Sequence, residues 1–235
     1  MKMGYNWFNI IQDCLLPPTC ILCGNSGFNG FDICDFCYRR LHRNNLCCYR
    51  CAEIFAIAPA SPALCGRCLS SQPAFDETYA PFIYQDEIRH LITSLKFAAH
   101  YKNARLLGLL MAEHLKHTAQ KPELIVPIPL HKARYRQRGF NQAFEIAKTV
   151  SKELRIPLDP ISCLRHRDTP HQTDLTAKQR RKNIKNAFAI IKPIHAQHVA
   201  VLDDVMTTGS TAHELAYILK KAGVSRVDVW VCARA

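Results

Sequence analysis

Long hydrophobic runs are absent from the 235-residue sequence. No stretch reaches the roughly 18 consecutive apolar residues that a membrane-spanning helix needs, so none is expected. The apolar stretch near the start is interrupted by Asn9, Gln12 and Asp13, has only Lys2 as a basic flank, and is followed by no small-residue cleavage site, which argues against a signal peptide. Its spacing predicts a short amphipathic helix ending at Pro17, favoured as a packing element over a membrane anchor. We therefore expect a cytoplasmic protein.

Acidic residues are also scarce. The chain has 19 of them against 31 lysines and arginines, a formal net charge of +12, which favours polyanionic partners such as nucleic acid or phosphorylated metabolites. A hydrophobic fraction of 48% is typical of a globular protein and excludes a disordered one. The length suffices for one ordinary domain and a small second one.

The sequence lacks the cysteine arrangement of a disulfide-bonded scaffold, although it has 12 cysteines. Eight of them form four C-x-x-C pairs, a spacing that lets two thiolates reach one zinc ion at about 2.3 Å, so that two pairs complete a tetrahedral site. Redox-active or structural disulfides are less favoured in the expected compartment. The predicted zinc ligands are Cys20, Cys23, Cys34, Cys37, Cys48, Cys51, Cys65 and Cys68.

The four pairs predict a domain over residues 1–72 that consists of the N-terminal helix and a double zinc ribbon. Sequential and interleaved pairing both stay open, although sequential pairing closes the shorter loops. The segment has too few apolar residues for a core, so zinc is expected to supply its folding free energy. Its arginines leave both nucleic-acid contact and protein docking open. Four aromatic residues are expected to pack around the metals: Phe28, Phe31, Phe36 and Tyr38.

From residue 73 to residue 235 the pattern is that of an α/β domain. The order of strand, helix and strand implies right-handed crossovers and a mainly parallel sheet flanked by helices. Ligands of such sheets bind beyond the carboxyl ends of the strands. The predicted strands are 78–85, 123–130, 198–204 and 226–233, and the predicted helices are 88–97, 104–117, 141–154 and 211–222.

The most informative stretch is VAVLDDVMTTGST, in which Asp203 and Asp204 precede a turn rich in hydroxyl groups. Backbone N–H groups and hydroxyls at the start of a helix can surround a phosphate, and glycine lets the main chain approach it closely. The two carboxylates can accept hydrogen bonds from vicinal hydroxyls, so that a ribose 5-phosphate satisfies both halves of the motif. The turn consists of Thr207, Thr208, Gly209, Ser210 and Thr211.

This stretch resembles the PRPP-binding signature of type I phosphoribosyltransferases. The resemblance implies that fold for the larger domain, with the ribose held by Asp203 and Asp204, the 5-phosphate held by residues 207–211, and Mg²⁺ accompanying the pyrophosphate. A basic loop, HKARYRQRGFNQ, follows strand 123–130 where the resemblance implies the pyrophosphate loop. The candidate pyrophosphate ligands in it are Arg134, Arg136 and Arg138.

Positive charge is concentrated between residues 131 and 185, where 14 lysines and arginines face five acidic residues, a net charge of +9. The concentration favours a nucleic-acid surface, and a solvated basic face is the alternative. The candidate nucleic-acid contacts are Arg165, Arg167, Lys178, Arg180, Arg181 and Lys182.

Cysteine pairs, LKF at 95–97, PIPLHKARYRQRGFNQ, TPHQTDLTAKQRRKNIKNAF and VLDDVMTTGST occur in this order, and together they resemble the ComF/GntX family of competence-associated, phosphoribosyltransferase-like proteins. The resemblance implies PRPP binding and the handling of single-stranded DNA during natural transformation, with DNA-uptake or recombination proteins as partners. Two alternatives stay open: an active phosphoribosyltransferase with an unknown acceptor, and a non-catalytic PRPP sensor whose zinc domain docks a partner protein. No catalytic residue is assigned.

Overall fold

The computed structural model describes residues 17–57, 63–168 and 184–235. The chain forms two compact units, one ending at Leu41 and the other running from His42 to Ala235. This division lies inside the segment 1–72, so the second group of four cysteines shares a unit with the α/β domain.

The described strands and helices follow the order expected for an α/β protein. None of these helices is both long and apolar enough to cross a membrane. The strands are β1 (Glu77–Tyr79), β2 (Phe82–Ile83), β3 (Leu124–Pro127), β4 (Cys163–Arg165), β5 (Phe188–Ile190), β6 (His198–Met206) and β7 (Arg226–Arg234). The helices are α1 (Asp35–Arg39), α2 (Gly66–Ser70), α3 (Asp86–Ala98), α4 (Tyr101–Thr118), α5 (Lys132–Arg138), α6 (Gln142–Leu154) and α7 (Ser210–Lys221).

The smaller unit contains α1 and two isolated bridges, Thr19 to Ser26 and Phe28 to Phe31. The expectation that Phe36 packs around a metal is wrong, because its side chain is 67% exposed. Phe36 adjoins the buried Cys37 on α1, and neighbouring positions of a helix point about 100° apart.

The main sheet is parallel, as predicted. Its order is β1–β7–β6–β3, and β2 also pairs with β7. The prediction of one strand over residues 78–85 is wrong, since β1 and β2 are separate strands on either side of Pro81. Proline has no N–H for the ladder, which explains the interruption.

Helices cover both faces of the sheet. Side chains alternate along a strand: Val229 and Val231 of β7 join the core that contains Leu215 of α7, whereas Cys232 points the other way, with its Sγ 3.1 Å from Met111 Sδ of α4. Burial of each such side chain stabilises the fold by about 1.5–3 kcal/mol. The predicted α/β class with flanking helices is confirmed.

One predicted loop is a helix. The basic segment after β3 forms α5, which begins where His131 Nδ1 accepts a hydrogen bond from Ala133 N (3.3 Å) and ends at Gly139 with φ 83°. Alanine, arginine, lysine and glutamine are good helix formers, and a glycine with positive φ is a typical helix terminator. The prediction of a loop over this segment is therefore wrong.

Candidate functional site

The eight predicted zinc ligands form two groups, in which all four sulfur atoms lie within 4.8 Å of one another. The pairing is sequential, with Cys20, Cys23, Cys34 and Cys37 in one group and Cys48, Cys51, Cys65 and Cys68 in the other. Representative Sγ–Sγ distances are 3.6 Å for Cys23 to Cys34 and 3.5 Å for Cys51 to Cys65. Tetrahedral zinc with bonds of about 2.3 Å requires about 3.8 Å between sulfur atoms, so both groups fit zinc.

Arg234 connects the second cysteine group to the sheet. Its side chain is buried, its Nε donates to Cys51 O (3.2 Å) and its Nη1 donates to Met206 O (3.0 Å). Its Nη2 pairs with Glu53, whose Oε2 also lies 2.8 Å from Arg67 Nη2. Since Met206 is the last residue of β6, one guanidinium holds both the metal-binding loop and the strand end that precedes the Thr207–Thr211 turn.

A cleft of about 350 Å³ opens at the carboxyl end of β6, where ligands of parallel sheets bind. Asp203 and Asp204 line it at the end of the strand, and the turn 207–211 lines it immediately afterwards. The two halves of the sequence motif thus face one cavity. Its volume lies within the range of small-molecule sites.

Lys96, for which the sequence predicts no role, is a cation that contacts the acidic pair. Lys96 Nζ lies 2.5 Å from Asp204 Oδ2, with side-chain exposures of 21% and 5%. Burial would lower the pKa of Lys96, but the charge of Asp204 prevails and raises it. Burial, together with the charge of Asp204, raises the pKa of Asp203 to about 8. The pair therefore combines one acidic group, Asp204, that is held by Lys96 with a second, Asp203, whose pKa is raised.

The turn after β6 has the features of an anion cradle. Gly209 has φ 75°, and a Cβ there would lie 3.3 Å from Met206 Sδ, so the position favours glycine. Gly209 is also the N-cap of α7 and offers no side-chain cap. In the first turn of this 12-residue helix, Ser210 N donates to Thr208 Oγ1 (3.4 Å), and the N–H groups of Thr211 and Ala212, which have no acceptor within the helix, are left for a ligand. The hydroxyls of Thr208 and Ser210 lie 2.9 Å apart in the same turn.

The three predicted pyrophosphate ligands do not share one face of α5. Arg134 and Arg138 line the cleft, while Arg136 is exposed and is not part of its lining. Positions two residues apart on a helix point about 200° apart, whereas those four residues apart are neighbours. Arg138 Nη1 donates to Gln142 Oε1 (2.6 Å), and its guanidinium lies 5.9 Å from the Phe97 ring centre.

The two described nucleic-acid candidates lie in different environments. Arg165 is 5% exposed, lines the cleft and lies 5.8 Å from the Phe188 ring centre, so it faces the acidic pair and not the outer surface. Burial lowers its pKa. Arg167 is exposed, and its Nη1 donates to Lys185 O (2.7 Å). The remaining four candidates lie outside the described residues: Lys178, Arg180, Arg181 and Lys182.

Comparisons with known proteins bear on nearly the whole chain. Residues 11–69 match the family described as a double zinc ribbon domain. DNA utilization protein YhgH of Escherichia coli K12 is 34% identical over 225 residues, which cover 93% of this chain and 98% of that protein. Competence protein F of Haemophilus influenzae is also 34% identical over 225 residues, covering 92% and 96%. Competence protein ComFC of Streptococcus pneumoniae is 26% identical over 157 residues.

Solved structures resemble part of the chain more distantly. A purine phosphoribosyltransferase from Pyrococcus horikoshii aligns with a TM-score of 0.33 at 17% identity, covering 56% of this chain and 82% of that one. A hypoxanthine phosphoribosyltransferase from Staphylococcus aureus aligns with a TM-score of 0.36 at 13% identity, covering 57% and 74%.

Proposed function

Because the chain belongs to the ComF/GntX family, together with DNA utilization protein YhgH and competence protein F, we propose that it is a competence-related, phosphoribosyltransferase-like protein. In this proposal it binds PRPP with Mg²⁺ in the cleft at the end of β6. It handles single-stranded DNA during DNA uptake.

The observation that supports PRPP binding most directly is the shared cleft of the acids and the turn. The hydroxyls and N–H groups of residues 207–211 would hold the 5-phosphate, and α7 adds the favourable end of its dipole. Asp203 and Asp204 would meet the ribose 2- and 3-hydroxyls. Carboxyl oxygens of both residues can accept hydrogen bonds, which suits two neighbouring hydroxyls.

A pyrophosphate group adds further negative charge, and the opposite wall of the cleft supplies cations. Arg134, Arg138 and Arg165 come from α5 and β4 and all line the cleft. Arginine forms bidentate hydrogen bonds with phosphate oxygens. Mg²⁺ typically binds one or two carboxylates together with substrate phosphates, and Asp203 offers such an oxygen at the partly exposed end of the acidic pair. The residues present therefore fit PRPP accompanied by Mg²⁺.

Handling of single-stranded DNA is supported by charge and by one exposed aromatic group. Residues 131–185 have a net charge of +9, which favours contact with phosphates. In the smaller unit, the guanidinium of Arg40 lies 5.6 Å from the ring centre of the exposed Phe36. Exposed aromatic rings stack on bases with little sequence preference, and arginine assists them.

Calorimetric titration of PRPP with Mg²⁺ tests the cleft. We expect Arg138→Gln to weaken PRPP binding by about tenfold, because a charge-assisted hydrogen bond contributes about 1.5 kcal/mol or more. Arg136→Gln on the same helix is the matched control and should retain wild-type affinity. Equal affinities for both variants would refute the assignment of the α5 face to pyrophosphate.

Fluorescence anisotropy with a labelled oligothymidylate tests the handling of single strands. Affinity should fall steeply as the salt concentration rises, because phosphate contacts release counterions. Absence of binding at low salt, or binding that does not respond to salt, would contradict the proposed handling of DNA. It would leave PRPP binding unaffected, since the two ligands are titrated separately.

A further inference from the structure

A second cavity, of about 390 Å³, lies beside the first, on the other side of the Thr207–Thr211 turn. Thr208, Gly209 and Ser210 line both cavities. The turn is therefore a partition one chain thick, with the cleft for the sugar phosphate on one side and the second cavity on the other. The proposed PRPP site does not use this second space.

The walls of the second cavity are built from three parts of the larger unit. Cys51 and Cys68 of the second cysteine group form one wall, and the buried ring of Phe75 forms another. The third is a single stripe of α7, in which His213, Tyr217 and Lys221 follow at intervals of four residues.

The cavity favours an anion. Lys185 and Lys221 are among its lining residues, against one carboxylate, Glu214. Arg67 also lines the cavity, but its guanidinium is paired with Glu53. That carboxylate is buried, and its Oε1 accepts a hydrogen bond from Asn186 N at 2.6 Å. The charge offered to a ligand is therefore positive, which suits a phosphate group.

The cavity also offers a surface for a planar ring. Tyr217 is 45% exposed, and Lys221 Nζ lies 5.0 Å from the centre of its ring. Aromatic side chains of this exposure stack on bases, and a neighbouring cation strengthens the contact with a phosphorylated ligand. A volume near 390 Å³ lies in the range of sites for small organic ligands.

We propose that the second cavity is a nucleotide-binding site, with the base on Tyr217 and the phosphate near Lys221 and Lys185. The nucleotide is either a free mononucleotide or one residue of a single strand. Binding of a DNA strand at this site rests on the proposed handling of single-stranded DNA, whereas binding of a free nucleotide does not. Since the cavity shares its partition with the PRPP cleft, its ligand lies directly behind the 5-phosphate turn.

Two titrations on the full chain test this site: thymidine 5′-monophosphate by calorimetry and a labelled oligothymidylate of about ten residues by anisotropy. Tyr217→Ala and Lys221→Glu should each weaken binding by on the order of tenfold, because one base contact or one phosphate contact is lost. Tyr217→Phe keeps the ring and should retain affinity. Lys116→Glu, a charge reversal in the last turn of α4 and outside residues 131–185, controls for net charge.

Each outcome separates the site from the proposed function. Loss of mononucleotide affinity in the two variants identifies a free nucleotide as the ligand, and loss of oligonucleotide affinity alone identifies a strand. If the oligonucleotide binds wild type and both variants equally, and the mononucleotide shows no loss in the variants, the site is overturned while the handling of DNA stands. If the oligonucleotide fails to bind but the mononucleotide binds in a variant-dependent way, the site stands and the handling of DNA fails. Failure of both ligands overturns both proposals.

Discussion

Replacement of Lys96 by methionine removes the positive charge beside Asp204 while keeping a side chain of similar length. The two side chains are 21% and 5% exposed, so the remaining carboxylate has little access to water. Removal of one partner of a buried ion pair destabilises a protein by about 3 kcal/mol, because the other charge is left buried without compensation. For a unit of this size, each kcal/mol lowers Tm by about 2–4 °C, so we expect a decrease of about 6–12 °C.

The loss should depend on pH in a defined direction. Asp203 already has a pKa of about 8, far above its usual value, and the charge of Lys96 lowers it, so without Lys96 the pKa of Asp203 should rise further. The folded variant then binds more protons than the unfolded chain, so its free energy of unfolding falls as pH rises, by about 1.4 kcal/mol per pH unit for each extra proton. The difference from wild type should thus grow as pH rises above about 8, where Asp203 of wild type loses its proton while that of the variant keeps it.

Differential scanning calorimetry at about pH 6 and about pH 9 measures this effect. Lys148→Met is the matched control, since Lys148 Nζ lies 2.5 Å from Glu145 Oε2 on α6 with half of the lysine side chain exposed. Glu145 is 16% exposed, so the pair is partly exposed. A helical pair at this spacing with one solvent-exposed partner contributes about 0–1 kcal/mol, so this variant should melt close to wild type at both pH values. Equal shifts for the two variants, or a Lys96→Met shift that does not grow with pH, would refute the reasoning.

Three further predictions concern the ligand and the metals. Asp203 loses its proton near pH 8, and Mg²⁺ favours the ionised carboxylate. PRPP–Mg²⁺ should therefore bind more tightly as pH rises from about 7 to about 9. Calorimetry of Asp203→Asn should show no such trend. Gly209→Ala, forced to a φ of 75°, should destabilise the turn by about 1–2 kcal/mol and weaken PRPP binding; unchanged affinity would mean that the turn does not hold the phosphate. Cys48→Ser, at a fully buried predicted zinc ligand of the larger unit, should reduce bound zinc from two ions to one and lower the main Tm. Cys34→Ser, in the smaller unit, should also remove one zinc but leave that Tm near wild type. Metal analysis combined with calorimetry distinguishes the two variants, and equal effects on Tm would contradict the assignment of the two sites to different units.

The elements nearest the motif could be predicted from the sequence because their signals are local. Continuous apolar residues mark β6, and Gly209 and Gly223 bracket α7. Sequential zinc pairing follows from short loops. The many basic residues of segment 132–138 are typical of a phosphate-binding loop, so the pattern predicts a loop there. The high helix propensity of the same residues prevails in the structure.

The remaining features depend on contacts between distant parts of the chain. Lys96 lies more than a hundred positions before Asp204 in the sequence, and only the tertiary packing of α3, which contacts α4, places its ammonium group in the cleft. Whether Arg165 points into the cleft or outward is likewise decided by β4 and its antiparallel partner β5. No single sequence motif predicts the second cavity, since its walls come from separate segments that meet only in the folded unit.

The central position of β7 has a consequence for the order of folding. Among the described strands, β1, β2 and β6 all pair with β7, and Arg234 reaches Glu53 across 181 positions of sequence. Closing loops of this length slows folding, because the entropy is lost before the contacts form. A nascent chain that has emerged only as far as α7 leaves β1 without its partner and the second zinc loop without its guanidinium. The nine residues of β7 therefore complete the sheet and the metal-binding loop in one late step, and deletion of residues 226–235 should give an aggregating chain instead of a smaller folded protein.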